Sequence, residues 1–329
     1  MNTSKRKTTV LVTGGAGFIG SHFSERLLTE GYRVVCIDNL NSFYSPIIKR
    51  INLERLSKYR HFSFEKGDLR NRSFIARVFE TWKPRYLVHL AAMAGVRPSL
   101  ENPGLYIDVN IRGTQILLDT VKKYPVEKIL FASSSSVYGN NEKVPFSEDD
   151  NVDRQISPYG ATKKMGEIQL YTFHHLTGIP TVLLRFFTVY GPRQRPEMAI
   201  HKFVRKLYRN QPIPLYGDGT TARDYTYYED IVAGLWSALR HDDDYAIYNL
   251  GNSEPVKLME LIEIIAELSG REPRLEYKPL PPGDVVQTFA DISRARTRLD
   301  YAPKTSLTDG LRQFIEWYLA MKKSHPRLF

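Results

Sequence analysis

The sequence TVLVTGGAGFIG, residues 9–20, carries the strongest prediction of the fold of this chain. Its first five residues are aliphatic or β-branched, which predicts a buried strand, and residues 18–30 predict an amphipathic helix. Three glycines stand at the junction in a GxxGxxG spacing: Gly14, Gly17 and Gly20. Glycines with this spacing, placed directly between a strand and a helix, are typical of a dinucleotide-binding turn.

Each glycine in this turn has a distinct predicted task. Gly14 permits the tight turn, Gly17 lets the backbone approach a pyrophosphate, and Gly20 lets the helix pack closely on the sheet. Phe18 and Ile19 begin the helix, where unpaired N–H groups and the helix dipole attract phosphate oxygens. We therefore expect these five residues to form the phosphate part of a cofactor site.

The rest of the first half continues the alternation of strands and helices. Further strands are predicted at residues 33–37, 61–65, 86–90, 128–132 and 181–185, and helices at 45–58, 73–81, 105–123 and Pro158–Thr177. Strands that alternate with helices favour a parallel sheet covered on both faces. With right-handed crossovers, the predicted fold class is α/β, a Rossmann-like doubly wound sheet.

The pattern changes after Arg185. Residues 186–223 are rich in Pro, Gly and Arg, and residues 224–250 return to strand, helix and strand. The rest of the chain carries shorter predicted helices at 257–269 and 307–322. We interpret 1–185 plus 224–250 as the nucleotide-binding domain, and 186–223 plus 251–329 as a smaller discontinuous α/β domain for the substrate.

Composition excludes several classes of protein. No apolar run approaches the ~20 residues of a membrane span, and the polar, basic N-terminus does not resemble a signal peptide, so we expect a cytoplasmic protein.

The 46 basic and 36 acidic residues give a net charge of +10. However, the absence of a basic run or an RNA-binding signature argues against a nucleic-acid partner. A single cysteine, Cys36, excludes an internal disulfide and argues against a cysteine-based metal site, so no metal is expected.

Acidic and small side chains after the next strands extend the predicted cofactor site. Asp38 ends the second strand, 18 residues after Gly20, where an acid binds the adenosine ribose and repels a 2′-phosphate. This position favours NAD over NADP. The other candidates for cofactor contact are Asn39, Asn41, Asp68, Leu69, Leu90, Ala91, Ala92 and Asn110. A buried capping role for Asn110 is the alternative.

Tyr159 and Lys163 are the predicted catalytic pair. They stand four residues apart at the start of a helix, which places them on one face. A phenol is a poor base at neutral pH, but an ammonium group and a positive nicotinamide would favour the phenolate. Tyr159 is then able to remove a hydroxyl proton as hydride leaves the same carbon. Both residues are also expected to contact the cofactor.

Together, these motifs resemble a known family. Residues 14–20, Asp38, Ser134, Tyr159 and Lys163 are similar to the extended short-chain dehydrogenase/reductases, over nearly the whole chain. The resemblance implies that Ser134, within the serine run that precedes the Tyr–Lys pair, is the catalytic serine.

Two longer stretches narrow the resemblance. Residues 91–99 (AAMAGVRPS) and 186–198 (FFTVYGPRQRPEM) are similar to UDP-glucuronate 4-epimerases. This implies transient oxidation at C4 by tightly held NAD, rotation of the 4-keto sugar and re-reduction, which converts UDP-glucuronate to UDP-galacturonate. Met93 departs from the glutamine of many relatives, and Pro281 replaces the phosphate-binding arginine of galactose epimerases.

The resemblance also implies a substrate site and a partner. The substrate-binding residues it implies are Arg97, Ser135, Ser136, Thr188, Arg195, Arg223 and Asp284. Residues 105–123 and Pro158–Thr177 are similar to the helices through which this family forms a homodimer.

Four other functions remain open at this point. A UDP-glucose or UDP-N-acetylhexosamine 4-epimerase and a UDP-glucuronate decarboxylase share the Tyr–Lys site. A dehydratase would carry Asp-Glu where this chain has Ser135 and Ser136. A non-catalytic NAD sensor would typically lack Tyr159 or Lys163.

Overall fold

The computed structural model describes residues 8–279 and 285–329. Its strands are β1 (Thr9–Thr13), β2 (Arg33–Asp38), β3 (Phe62–Lys66), β4 (Tyr86–His89), β5 (Lys128–Ser134), β6 (Thr181–Phe186), β7 (Thr188–Tyr190), β8 (Ile213–Tyr216), β9 (Ala222–Tyr227), β10 (Tyr245–Leu250), β11 (Pro255–Lys257) and β12 (Leu275–Lys278). Its α-helices are α1 (Phe18–Thr29), α2 (Pro46–Leu56), α3 (Arg72–Trp82), α4 (Val96–Glu101), α5 (Pro103–Tyr106), α6 (Gly113–Lys123), α7 (Pro158–Thr177), α8 (Ala199–Tyr208), α9 (Tyr228–Arg240), α10 (Leu258–Ser269), α11 (Ser293–Leu299) and α12 (Leu307–Ser324).

Seven strands form one parallel sheet in the order β10-β6-β5-β4-β1-β2-β3. Leu11 of β1 pairs with Val35 on one side and with Leu87 on the other. The strand order reverses between β1 and β4, and ligands of such sheets bind outside the carboxyl ends of the strands at this point. The predicted doubly wound α/β fold is confirmed.

Helices cover both faces of this sheet because alternate strand residues point to opposite sides. Val10 and Val12 pack with α1 and α9 in one core, and Leu11 packs with α3, α6 and α7 in the other. Cys36 is fully buried in the first core. Across the described ranges, no helix is both long and apolar enough to span a bilayer.

The predicted single helix over residues 105–123 is wrong in detail. The chain makes the short helix α5, then a π-helical turn over Ile107–Arg112, and only then α6. The side chain of Asn102 caps α5 by accepting a hydrogen bond from Leu105 N. Periodicity alone does not distinguish a π-turn from the α-helix around it.

A smaller region packs against the sheet with its own core. It contains the three-stranded sheet β11-β9-β7 and the two-stranded sheet β12-β8. Helices α8, α10 and α12 supply apolar side chains to this third core, among them Phe203, Ile265 and Phe314. The return to strand, helix and strand after residue 223 is seen as β9, α9 and β10, of which β10 joins the large sheet.

Candidate active site

A cleft with a volume of about 440 Å³ lies at the carboxyl ends of β1, β2, β4, β5 and β6. Twenty of the residues predicted from the sequence line it: Gly14, Gly17, Phe18, Ile19, Gly20, Asp38, Asn39, Asn41, Asp68, Leu69, Leu90, Ala91, Ala92, Ser134, Ser135, Ser136, Tyr159, Lys163, Thr188 and Arg195. The sheet therefore gathers both the proposed cofactor residues and the proposed catalytic residues in one place.

The glycine turn forms a close-packed cradle. Gly14 has a φ of +71°, and a Cβ there would lie 2.9 Å from the Cα of Ala91. A Cβ on Gly20 would lie 2.2 Å from the carbonyl oxygen of Gly14. No described side chain caps α1 at Gly17, which leaves the first helical N–H groups for phosphate oxygens. The turn therefore fits a dinucleotide pyrophosphate.

Asp38 carries a partner that the sequence did not reveal. Lys49 Nζ lies 3.2 Å from Asp38 Oδ1 and 3.4 Å from Asn41 Oδ1. Both side chains of the ion pair are almost completely buried. Asp38 Oδ1 also accepts a 2.8 Å hydrogen bond from Leu40 N. These contacts fix the carboxylate at the end of β2, where it could bind ribose hydroxyls.

Asp68 is also held by its neighbours. Arg70 donates to both carboxylate oxygens, at 2.9 Å each, and Asn39 Nδ2 donates to Oδ2 at 2.8 Å. The hydrogen bonds from Arg70 hold the pKa of Asp68 well below its usual range. Asp68 is therefore ionised and held in place by Arg70 and Asn39 where it lines the cleft.

Tyr159, Ser134 and Lys163 all line the cleft. Ser157 caps α7 by accepting a 3.1 Å hydrogen bond from Gly160 N. The cap starts the helix immediately before Tyr159. Burial raises the pKa of Tyr159, whereas its hydrogen bond with Ser134 and the charge of Arg195 act to lower that pKa. Ser134, the predicted catalytic serine, lines the same cleft, and its hydroxyl donates to Ser136 Oγ at 3.2 Å.

Lys163 makes a hydrogen bond that the sequence did not predict. Its ammonium donates a 2.6 Å hydrogen bond to the carbonyl oxygen of Ala132. Burial lowers its pKa to about 8, partly opposed by the charge of Glu167. Among the groups that lower the pKa of Tyr159 in this structure are Ser134 and Arg195. The activation expected from Lys163 therefore does not come from a direct contact between the two side chains.

Four predicted site residues fall outside the lining of the cleft or outside the described residues. Asn110 is buried behind the wall, where it accepts from Met93 N at 2.7 Å and donates to Met93 O and to Thr162 Oγ1. Its amide is thus used to fix the wall, which corresponds to the alternative capping interpretation. Arg97 lies over the ring of Tyr216 at 4.2 Å.

Arg223 and Asp284 are the other two. Arg223 Nη1 donates to the carbonyl oxygens of Ala222 and Val286, at 2.8 and 3.3 Å. Neither Arg97 nor Arg223 belongs to the lining of the cleft. Asp284, like Pro281, lies outside the described residues. The roles of all four remain predictions.

Several lining residues were not predicted from the sequence. They include Phe43, Tyr44, Lys49, Gly95 and Met198. Lys49 lies on α2, eleven residues beyond Asp38, and only the fold shows that its ammonium reaches back to β2. Gly95 has a φ of +105°, and the Ala-Gly-Val step within AAMAGVRPS was the available signal for a turn there.

Comparison with known proteins places the chain in a family. The family profile described as GDP-mannose 4,6 dehydratase matches residues 11–314. A UDP-glucuronate 4-epimerase of Thermodesulfobacterium geofontis is 44% identical over 308 residues, which cover 93% of this chain and 95% of the relative.

Solved structures agree with this match. The UDP-glucuronic acid 4-epimerase of Bacillus cereus, in complex with UDP-glucuronic acid and NAD, superposes with a TM-score of 0.91 at 36% identity, covering 95% of this chain and all of the other. The UDP-glucose 4-epimerase of Thermotoga maritima, with UDP-glucose, gives a TM-score of 0.89 at 34% identity, covering 95% and 99%. The chain therefore belongs to the extended short-chain dehydrogenase/reductase family of this profile, to which the UDP-glucuronate 4-epimerases also belong.

Proposed function

We propose that this protein is an NAD-dependent UDP-sugar 4-epimerase that interconverts UDP-glucuronate and UDP-galacturonate. The observation that carries the proposal is the meeting of Tyr159, Ser134 and Lys163 in the same cleft as the glycine cradle. Likeness to the Bacillus cereus enzyme with UDP-glucuronic acid and NAD supports this choice of substrate.

The cofactor residues fit NAD. The glycine cradle would hold the pyrophosphate, Asp38 the adenosine ribose, and Ala91 and Ala92 would let the cofactor lie against β4. The negative charge of the Asp38 carboxylate would repel the 2′-phosphate of NADP. When bound, NAD accepts a hydride from C4 of the sugar and returns it later.

Tyr159 moves the proton that accompanies this oxidation. The phenolate takes the proton of the sugar O4 hydroxyl as the C4–H bond breaks, and it returns that proton when C4 is reduced from the other face. The Ser134 hydroxyl lines the same cleft and acts to lower the pKa of the phenol, and we infer that it also hydrogen-bonds the sugar O4. The positive charge of Arg195 lowers the pKa of the phenol, and we infer that the Lys163 ammonium in the same cleft also favours the anionic form.

The glucuronate carboxylate requires particular control. The 4-keto intermediate is a β-keto acid, and it loses CO₂ readily when the C5–C6 bond aligns with the carbonyl π system. Ser135, Ser136, Thr188 and Arg195 all line the cleft. Their hydroxyl and guanidinium donors would hold the carboxylate through charge-assisted hydrogen bonds, in an orientation that keeps this alignment poor.

A second candidate function is the 4-epimerisation of UDP-glucose or a UDP-N-acetylhexosamine. The specific observation in its favour is the TM-score of 0.89 to the Thermotoga maritima UDP-glucose 4-epimerase. A UDP-glucuronate decarboxylase would share the Tyr159 chemistry, but its relatives differ from this chain at Thr188 and Val189.

The division into two domains and the homodimer are part of the same proposal. The boundaries expected from the sequence are supported by β10 in the large sheet, although β9 pairs with β7 and β11.

Large apolar side chains are exposed on α7: Met165, Ile168, Tyr171 and Leu176. Such a row would be covered in a homodimer, which light scattering at twice the monomer mass would support. A cytoplasmic location remains an expectation that cell fractionation tests.

The function is tested with the protein as purified and no added NAD. NMR spectra would follow UDP-glucuronate, UDP-glucose and UDP-N-acetylglucosamine in parallel. Equilibrated UDP-galacturonate without a UDP-pentose supports the proposal. Faster turnover of UDP-glucose favours the second candidate, pentose formation favours a decarboxylase, and NAD binding without any turnover favours the sensor.

A further inference from the structure

A buried ion pair joins α7 to β6 directly behind the catalytic residues. Glu167 accepts hydrogen bonds from Arg185 Nε at 2.8 Å and from Arg185 Nη2 at 2.9 Å. The hydroxyl of Ser133 donates to the same carboxylate at 2.6 Å. All three residues are at most 2% exposed. A bidentate pair of this kind permits only one relative arrangement of its two planar groups.

The ion pair lies between the two segments that carry the catalytic groups. Glu167 follows Lys163 by one helical turn on α7, and Ser133 immediately precedes Ser134 at the end of β5. Ser133 also pairs with Arg185 in the sheet register. The Glu167 carboxylate therefore ties the helix of Tyr159 and Lys163 to the strand end that carries Ser134.

The same network fixes the other end of the serine segment. Arg185 Nη1 donates to Tyr138 Oη at 3.0 Å, and Tyr138 Oη donates to Asn249 Oδ1 at 2.7 Å. Tyr138 closes the 3₁₀ turn Ser135–Tyr138 that follows Ser134. The serine segment is therefore held on both sides by groups that converge on Arg185.

We propose that Glu167, acting through Ser133 and Arg185, is a positioning residue that sets the Ser134 hydroxyl against the Tyr159 phenol. This inference rests on the proposed epimerase function. Glu167 does not line the cleft, so it has no direct contact with a bound sugar. Its loss is expected to displace the hydroxyl and phenol relative to one another while leaving the substrate-binding surface in place.

The charges around Lys163 and Tyr159 determine how this displacement is detected. The Glu167 charge raises the pKa of Lys163 against the effect of burial. His89 on β4 also faces Lys163 and is neutral, because burial lowers its pKa to about 3. The Ser134 hydrogen bond and the Arg195 charge lower the pKa of Tyr159. Losing the Glu167 charge therefore lowers the Lys163 pKa, and displacing Ser134 raises the Tyr159 pKa.

The test compares three variants with the NAD-loaded wild type across pH. E167Q removes the charge, and S133A removes the link to β5 but keeps the ion pair. D230N is the control, because Asp230 is another buried carboxylate, which accepts from Lys304 N and Thr305 N at 3.0 and 3.3 Å. For E167Q and S133A we expect kcat to fall about 10- to 100-fold, with KM changed less than about twofold.

The pH profile separates positioning from a loss of folded protein. In E167Q the acidic limit of kcat should move to higher pH and the alkaline limit to lower pH. In S133A only the acidic limit should move, and D230N should keep both limits. Wild-type limits in E167Q and S133A would overturn the inference. If E167Q does not fold, S133A decides, because it leaves Glu167 and Arg185 paired.

A measurement without turnover keeps this test independent of the proposed function. The ultraviolet absorbance of the Tyr159 phenolate is titrated as the difference from Y159F, in wild type and in S133A. A higher titration midpoint in S133A supports the inference, and an equal midpoint refutes it. Failure of the wild type to convert any UDP-sugar refutes the proposed function, and the phenolate midpoints still decide whether the link from Ser133 to Glu167 positions the Ser134 hydroxyl against the phenol.

Discussion

Lys163 and Ala132 are joined by a 2.6 Å hydrogen bond from the ammonium to the main-chain carbonyl oxygen. This bond anchors the first turns of α7 to β5 and leaves the ammonium as a nearby charge rather than a donor to the phenol. Burial lowers the Lys163 pKa to about 8 and raises the pKa of Tyr159. The charge state of the site therefore changes within an accessible pH range.

The first prediction concerns the alkaline limit of activity. Lys163 is charged below a pKa of about 8, so its contribution is present at lower pH and is lost as the pH rises through that value. K163R keeps its charge, so its alkaline limit should move up by at least about one pH unit even though kcat falls. The measurement is kcat between pH 6 and 10, and identical alkaline limits in both proteins would refute the role of Lys163.

The second prediction concerns cofactor choice. In D38S the Lys49 ammonium, which lies 3.2 Å from Asp38 in the wild type, loses its counter-ion and would face a 2′-phosphate. A charge-assisted hydrogen bond contributes about 1.5–3 kcal/mol, which corresponds to a roughly 10- to 100-fold shift of the Kd ratio toward NADP. Calorimetry with both cofactors measures the ratio. The control D38S/K49M should lack the shift, and a shift of equal size there would exclude Lys49 as its cause.

The third prediction separates the contribution of the glycine turn to folding stability from its contribution to cofactor binding. A Cβ on Gly20 would lie 2.2 Å from the Gly14 carbonyl oxygen, whereas on Gly17 it would lie 3.1 Å from that oxygen. G20A should therefore lose about 1–3 kcal/mol of unfolding free energy, and G17A much less. G17A should nonetheless retain less than a tenth of the wild-type NAD content, because its methyl group occupies phosphate space. Denaturant melts measure the unfolding free energy, and the absorbance of released cofactor measures the NAD content. A G17A protein with full NAD content would contradict the proposal that this turn holds the pyrophosphate.

The fourth prediction concerns the carboxylate of the sugar. T188V removes a hydroxyl that lines the cleft and would weaken UDP-glucuronate binding about tenfold or more, the effect of one charge-assisted hydrogen bond. UDP-pentose should also appear, because the carboxylate is held less firmly. UDP-glucose, which has no carboxylate, serves as the control substrate. If T188V alters neither the affinity difference between the two substrates nor CO₂ release, Thr188 does not hold the carboxylate.

The large sheet could be predicted from the sequence because its signals are local. The strand before Gly14, the glycine spacing and the Tyr159–Lys163 spacing each specify a position on the chain, and parallel topology brings their ends together. Family resemblance added Thr188 and Arg195, which do line the cleft. Membership of the extended short-chain dehydrogenase/reductases is confirmed by the family match.

Features that depend on tertiary contact could not be predicted. Lys49 reaches Asp38 only because α2 packs over the end of β2. Asn110 lies within the π-turn, and its amide accepts a hydrogen bond from Met93 N. The hydrogen bond from Lys163 to Ala132 depends on the distance between α7 and β5. None of these distances is encoded in residue spacing along one element.

The most direct test of the account is the rate at which Y159F converts UDP-glucuronate to UDP-galacturonate, followed by NMR beside the wild type. The thermal melt and NAD content of each protein verify that both are folded and loaded. We expect equilibration by the wild type and a rate at least about 10²-fold lower for Y159F, since general acid–base catalysis contributes on that order. Interconversion by Y159F at the wild-type rate would contradict the central role of the Tyr159 phenol.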